Sequence, residues 1–224
     1  SVNEWTQLGL RLDNEPGMDG LRRKAFEDAV AYYKECMAAN IADDAIRLEA
    51  AVAAIQAAYF HTDLGQYETA ESELLLAEKW LTTLPVDHSV KWNQSDIQVL
   101  LANILRRMDR WDESAKAYLQ SITIIDELLQ TNPNNTSYLI RQANALLNLC
   151  VVLNHRSDWD ESLMTYLRAI RLSTKAAAIR AKENIPDFLT QRAAGESSEV
   201  SSGLNEVTEY LTEVCDRLRA QNPA

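Results

Sequence analysis

Two short stretches set an indole, two carboxylates and a hydroxyl side by side: residues 111–114 (W-D-E-S) and residues 159–162 (W-D-E-S again). An indole N–H donates, a carboxylate accepts and a hydroxyl does both. Each stretch therefore holds the parts of a ligand grip, and the chain writes it twice, 48 residues apart. Other chemistry-bearing residues are scattered. His61, His88 and His155 stand far from one another, and two of them fall near the ends of helical patterns, where exposure at a turn accounts for them. Cys36, Cys150 and Cys215 form no C-x-x-C pair, which argues against a zinc site or a dense disulfide framework. Cys36 and Cys150 sit among apolar neighbours and read as small core residues. There is no phosphate-cradling G-x-x-x-x-G-K loop, no G-x-S-x-G elbow, and no H-R-D or D-F-G kinase signature. The expectation is a chain without catalytic, metal or cofactor residues.

The elements that must carry these residues are helical. Of 224 residues, 46% are hydrophobic and 25% charged, with only 6 Gly and 5 Pro, a balance that favours helix over sheet. The formal charge is −11, which repels phosphate backbones and anionic lipid. Nucleic acid is not an expected partner. The longest apolar runs, such as A-L-L-N-L-C-V-V-L at 145–153, fall well short of the roughly 20 residues that a membrane helix needs. Direct membrane insertion is not expected. The chain opens on Ser1 instead of a methionine and has no signal-peptide pattern, which reads as a processed or partial chain. Its compartment is left open.

The W-D-E-S stretches have two looser relatives, with Phe26 and Tyr67 in the place of Trp111 and Trp159. Three residues after each of these four anchors stands a small residue: Ala29, Ala70, Ser114 and Ser162. Seven after stands a large one, Tyr33, Leu74, Tyr118 and Tyr166; ten after stands a small one again, Cys36, Ala77, Ser121 and Ala169. Offsets of three, seven and ten share one face of an α-helix. The anchors recur after 41, 44 and 48 residues, and before each of the last three lies a second helical pattern. Pro85, Pro133 and Pro186 punctuate the joints between pairs. The unit is a helix–turn–helix that cannot bury both faces alone and must stack. This comparison also reinterprets the W-D-E-S stretches: the anchor can be Trp, Tyr or Phe, and the Ser stands where Ala stands elsewhere. Trp111 and Trp159 are expected to be packing anchors.

These residues resemble the tetratricopeptide repeat, whose unit runs W-x-x-L-G-x-x-Y, then G-x-Y-x-x-A. The second half matches at all four anchors. The first half matches best as Trp5, Leu8, Gly9 and Leu12, and more loosely as Ala54, Ala57, Ala58 and His61; Gln98, Leu101, Ala102 and Leu105; and Leu146, Leu149, Cys150 and Leu153. The resemblance implies an all-α fold: an α-solenoid of stacked antiparallel hairpins with long units of 41–48 residues, over 1–192, followed by a polar loop at 193–203 and a C-terminal amphipathic capping helix at 204–221. It also implies that the first helices of the units line a concave face. By the family pattern, the inward positions fall on Val52, Ile55, Tyr59, Thr62 and Asp63 of one unit and on Asp96, Val99, Asn103, Arg106 and Arg107 of the next. Asn144, Leu147, Val151, Asn154 and His155 follow in the last, with Arg141 able to join them. An Asn amide can hold both the N–H and the C=O of an extended peptide, and Arg can hold a carboxylate with two prongs. The expected partner is a protein or peptide ligand, preferring an acidic or C-terminal segment. The family's chaperone-tail clamp places a Lys where Ile55, Val99 and Leu147 stand, which turns the expectation away from that ligand.

A narrower likeness sits at 11–35. R-L-D-N-E-P-G-M-D-G-L-R-R-K is similar to the start of the repeat region in some bacterial membrane-anchored serine/threonine protein kinases. It implies a scaffolding or regulatory region cut from a larger protein. The expectation of a non-catalytic interaction scaffold competes with that of a structural spacer or self-association module whose groove is filled by its own C-terminal helix.

Overall fold

A computed structural model describes residues 19–39 and 43–192. The described residues form seven α-helices and no strands: α1 Asp19–Ala38, α2 Asp44–Asp63, α3 Tyr67–Leu81, α4 His88–Arg107, α5 Trp111–Thr131, α6 Thr136–His155 and α7 Trp159–Arg192. The all-helical expectation is met. The chain divides into two compact units, Ser1–Ala178 and Ile179–Ala224, and the contacts that follow lie within the first. The Trp5–Leu12 segment, the N-E-P-G-M stretch, the polar loop and the 204–221 segment lie outside the described residues.

The chain begins three of its helices with a polar cap. Asp43, Asp87 and Asn135 are extended at the N-cap, and their side chains accept from Ile46 N, Val90 N, and Ser137 N with Tyr138 N. Each such cap satisfies donors that the helix cannot and contributes about 1 kcal/mol. Pro85 and Pro133 lie in the links before α4 and α6, as their missing N–H requires. Pro186 differs: it falls inside α7 and marks no joint.

The turns within the hairpins are the same turn made three times. Two residues before each anchor the backbone is left-handed: Gly65 at φ 74°, Asp109 at φ 58° and Ser157 at φ 64°. The next residue then closes back by five: Gln66 N donates to His61 O, Arg110 N to Leu105 O and Asp158 N to Leu153 O, at 2.8, 2.8 and 2.9 Å. Only at Gly65 does the residue type remove the steric cost of that φ.

Consecutive helices from α1 to α6 pack against one another, and α2 also packs on α4. The small residues three positions past the anchors are buried where helices approach closely, at Ala29, Ala70, Ser114 and Ser162. The two serines use the approach: Ser114 Oγ donates to Ala102 O at 2.8 Å and Ser162 Oγ to Cys150 O at 3.4 Å. The hydroxyl of W-D-E-S is thus spent inside the hairpin. Cys36 and Cys150 are buried and free, as expected of core residues. Burial pushes the Cys150 thiol up, with Ser162 acting against it, which holds the group in its un-nucleophilic form.

The anchors themselves divide. Phe26 is fully buried and stacks on Phe60 at 5.8 Å. Trp111 lies flat against His155, with ring centroids 3.7 Å apart. Trp159, by contrast, is 62% exposed. The expectation of a buried anchor fails there. Each earlier anchor meets the last turn of the next hairpin's first helix, whereas Trp159 belongs to the last hairpin that the described residues contain.

Candidate functional site

The first helices α2, α4 and α6 carry the residues to which the repeat pattern points. A side-chain cluster ties the three together. Tyr59 of α2 donates its hydroxyl to Asp96 Oδ1 of α4 at 3.0 Å. Arg141 of α6 pairs with the same carboxylate. Its guanidinium also lies 4.0 Å from the ring centroid of Trp92, and Trp92 packs at 5.5 Å on Tyr138. The guanidinium is therefore held by a carboxylate and by an aromatic face. Burial pushes the Tyr59 hydroxyl far above its ordinary range, and the Asp96 charge adds to that.

The predicted groove residues fall into three groups. Ile55 and Thr62 are corrections: at 1% and 6% exposure both are buried and face no groove, Ile55 in the hydrophobic core and Thr62 with its hydroxyl donated to Ala58 O. Their helix packs on α4 as well as on its own hairpin partner, so the flank that carries Ile55 is covered. Val52 and Tyr59, its neighbours in the pattern, are half-buried. A second group is present but engaged. Arg141 is held as described. Asn103 accepts the Tyr118 hydroxyl at 2.5 Å. Arg106 is half-buried beside the same hydroxyl, where its charge opposes the rise that burial gives Tyr118. His155 is exposed at its edge and covers Trp111 with its ring face. The third group is open. Asn144, Leu147 and Asn154 are exposed along one stripe of α6, with Val151 between them. Arg107 is exposed at the end of α4, where it reaches Tyr67 Oη at 3.5 Å.

The sequence reading missed Trp92 and Tyr138, and it placed Asp96 on the inward face without pairing it with Arg141. A signal did exist, because Trp92 and Tyr138 stand near the starts of two first helices as large aromatics. It also misjudged His61. Read as a turn residue, it is in fact 6% exposed. Glu73 Oε2 lies 2.7 Å from its Nδ1 and Glu27 Oε1 lies 3.2 Å from its Nε2, which ties α1, α2 and α3. Burial pushes the Glu73 carboxyl up and His61 beside it pulls it back. No group of side chains with metal-holding geometry occurs among the described residues.

Chemically, the face formed by α2, α4 and α6 offers amides, apolar spots and one exposed guanidinium. It has no nucleophile beside a base. No protein-family model matches the chain, and no curated protein matches it either.

Proposed function

We propose that this chain is a tetratricopeptide-like α-solenoid that binds a peptide or protein segment on the face of its first helices. What carries the reading is the bridge of Tyr59, Asp96 and Arg141, which fixes three first helices in register beside the exposed Asn144–Leu147–Val151–Asn154 stripe. Rigid helices that present side chains along one stripe hold an extended chain at little entropic cost. Asn144 and Asn154 would take its backbone, Leu147 and Val151 its apolar side chains, and Arg107 an acidic or C-terminal carboxylate. The binding is presentation without chemistry, and neither nucleic acid nor a membrane is required. The chain would serve as the regulatory or scaffolding region of a larger protein. The likeness of 11–35 to kinase-linked repeats makes a serine/threonine kinase the proposed companion.

The test is capture of peptides from a displayed random library by the wild type and by an Asn144→Ala/Leu147→Asp/Arg107→Glu variant. The wild type should enrich a consensus, and the variant should lose at least tenfold of the affinity for it. Equal enrichment by both would sink the groove assignment.

A second reading is favoured by one observation. On α7, Trp159, Leu163, Tyr166 and Leu167 form an exposed apolar stripe, which suits self-association. Sedimentation over a concentration series separates the readings. A dimer that Trp159→Glu and Tyr166→Glu dissolve, with peptide binding intact, assigns the stripe to assembly. A monomer at all concentrations removes that reading.

A further inference from the structure

Two polar side chains occupy positions that the repeat reserves for apolar ones. Glu78 stands eleven residues after its anchor, where Met37, Ile122 and Ile170 stand in the other units. Gln98 stands where Ala54 and Leu146 stand, and both of those are core residues. The two find each other: Gln98 Nε2 donates to Glu78 Oε1 at 3.2 Å. That bond does not complete either of them. Gln98 is only 8% exposed, and its Oε1 is buried without a hydrogen-bond partner. Among the described residues Glu78 has no ion pair. An orphaned buried acceptor is costly, and here it lies beside a carboxylate that no cation balances.

Both residues line a cleft of about 460 Å³ between α3, α4 and α5. Leu119 and Ile124 of α5 give it apolar walls, and Gln94 and Gln120 add amides at its sides. Helical periodicity puts Gln94 and Gln98 on the side of α4 opposite Asp96 and Asn103. The cleft is thus separate from the groove. Its polar surface is rich in acceptors, its charge is negative, and its walls are hydrocarbon. A chain with a formal charge of −11 also draws cations to it.

We infer that this cleft takes an alkyl-stemmed cation, the arginine or lysine side chain of a partner protein. Its head sits on the Glu78 carboxylate, beside Gln98, and its stem lies on Leu119 and Ile124. A guanidinium supplies planar paired donors and an ammonium a point charge with three; both answer the same set of acceptors. The site does not depend on what the groove binds.

The test is an NMR titration of the full chain with n-butylguanidinium chloride, n-butylammonium chloride and neutral n-butylurea. The cations should give saturable shifts of the Gln98 side-chain amide and of the Leu119 and Ile124 methyls. Tighter binding of butylguanidinium assigns arginine, and tighter binding of butylammonium assigns lysine. Glu78→Gln should weaken the cations about tenfold and leave butylurea unchanged. A Glu78→Met/Gln98→Leu variant restores the apolar residues of the other units. It should bind neither cation and unfold at a higher temperature than the wild type, because the orphaned acceptor is gone. Absence of saturable shifts with both cations overturns the inference. So does butylurea binding as tightly as they do, an unchanged affinity in Glu78→Gln, or a lower unfolding temperature in the double variant.

Discussion

Tyr118→Ala is expected to cost about 3–5 kcal/mol of stability, while Tyr166→Ala costs under about 1 kcal/mol. The two tyrosines are the same residue type at the same offset in near-identical stretches, D-E-S-A-K-A-Y and D-E-S-L-M-T-Y. Their surroundings differ. Tyr118 is 0% exposed, packs in the core with Leu105, Leu146 and Leu149, and gives its hydroxyl to Asn103. Truncation removes a whole ring from a packed core, leaves a cavity and strands the Asn103 oxygen. Tyr166 is 47% exposed, so most of its ring never left water. For a domain of this size the first loss corresponds to a fall of the thermal midpoint by roughly 10 °C. Tyr118→Phe separates the parts, because it keeps the ring and should lose only about 1 kcal/mol with the hydrogen bond. Urea unfolding of the three variants checks the series. Equal losses at Tyr118 and Tyr166 would mean that the α7 stripe is covered in solution.

That pair also shows what a sequence of this kind reveals and what it withholds. Periodicity marks the face a helix will bury, and it marks Tyr118 and Tyr166 alike. Cover comes from the neighbour that follows, which is α6 in one case. For the same reason Trp111 is an anchor against His155, whereas Trp159, with the same local sequence, is not buried. The hairpins, their turns and the Pro85 and Pro133 joints were legible because they depend on residues within one or two turns of each other. Of the proposed groove, the α6 stripe was legible because nothing within the described hairpins lies over it. The state of Arg141 was not: its partner Asp96 lies 45 residues away, and no local pattern pairs them. Ile55 was misread because the repeat pattern treats α2 as if only its own hairpin covered it. His61 was misread because the two carboxylates that bury it come from α1 and α3.

Asp96→Ala should lower stability and raise affinity for acidic peptides in the same protein. The Asp96 side chain is 13% exposed and that of Arg141 23%. Removing one member of such a pair leaves the other charge poorly solvated, at a cost of 3–5 kcal/mol in buried sites. The residual exposure of Arg141 puts the expectation at the lower end, about 3 kcal/mol. Tyr59 loses its acceptor as well. Tyr59 offers an independent readout. Its hydroxyl is held far above the ordinary value of 10.0, first by burial and then by the Asp96 charge. In the wild type the unfolded chain ionises near that value and the folded chain does not, so the contribution of Tyr59 to stability is lost as pH rises past about 10. Without Asp96 the folded hydroxyl ionises at lower pH, and the alkaline loss should flatten; absorbance titration of the phenolate follows it directly. Arg141 would remain against Trp92 but without a carboxylate, on the proposed peptide-binding face. Acidic peptides should then bind several-fold tighter and uncharged ones no differently. Were acidic and uncharged peptides to weaken together, the intact Tyr59–Asp96–Arg141 bridge would itself be the surface that the ligand needs, and the guanidinium would be a positioning group whose charge the ligand never meets.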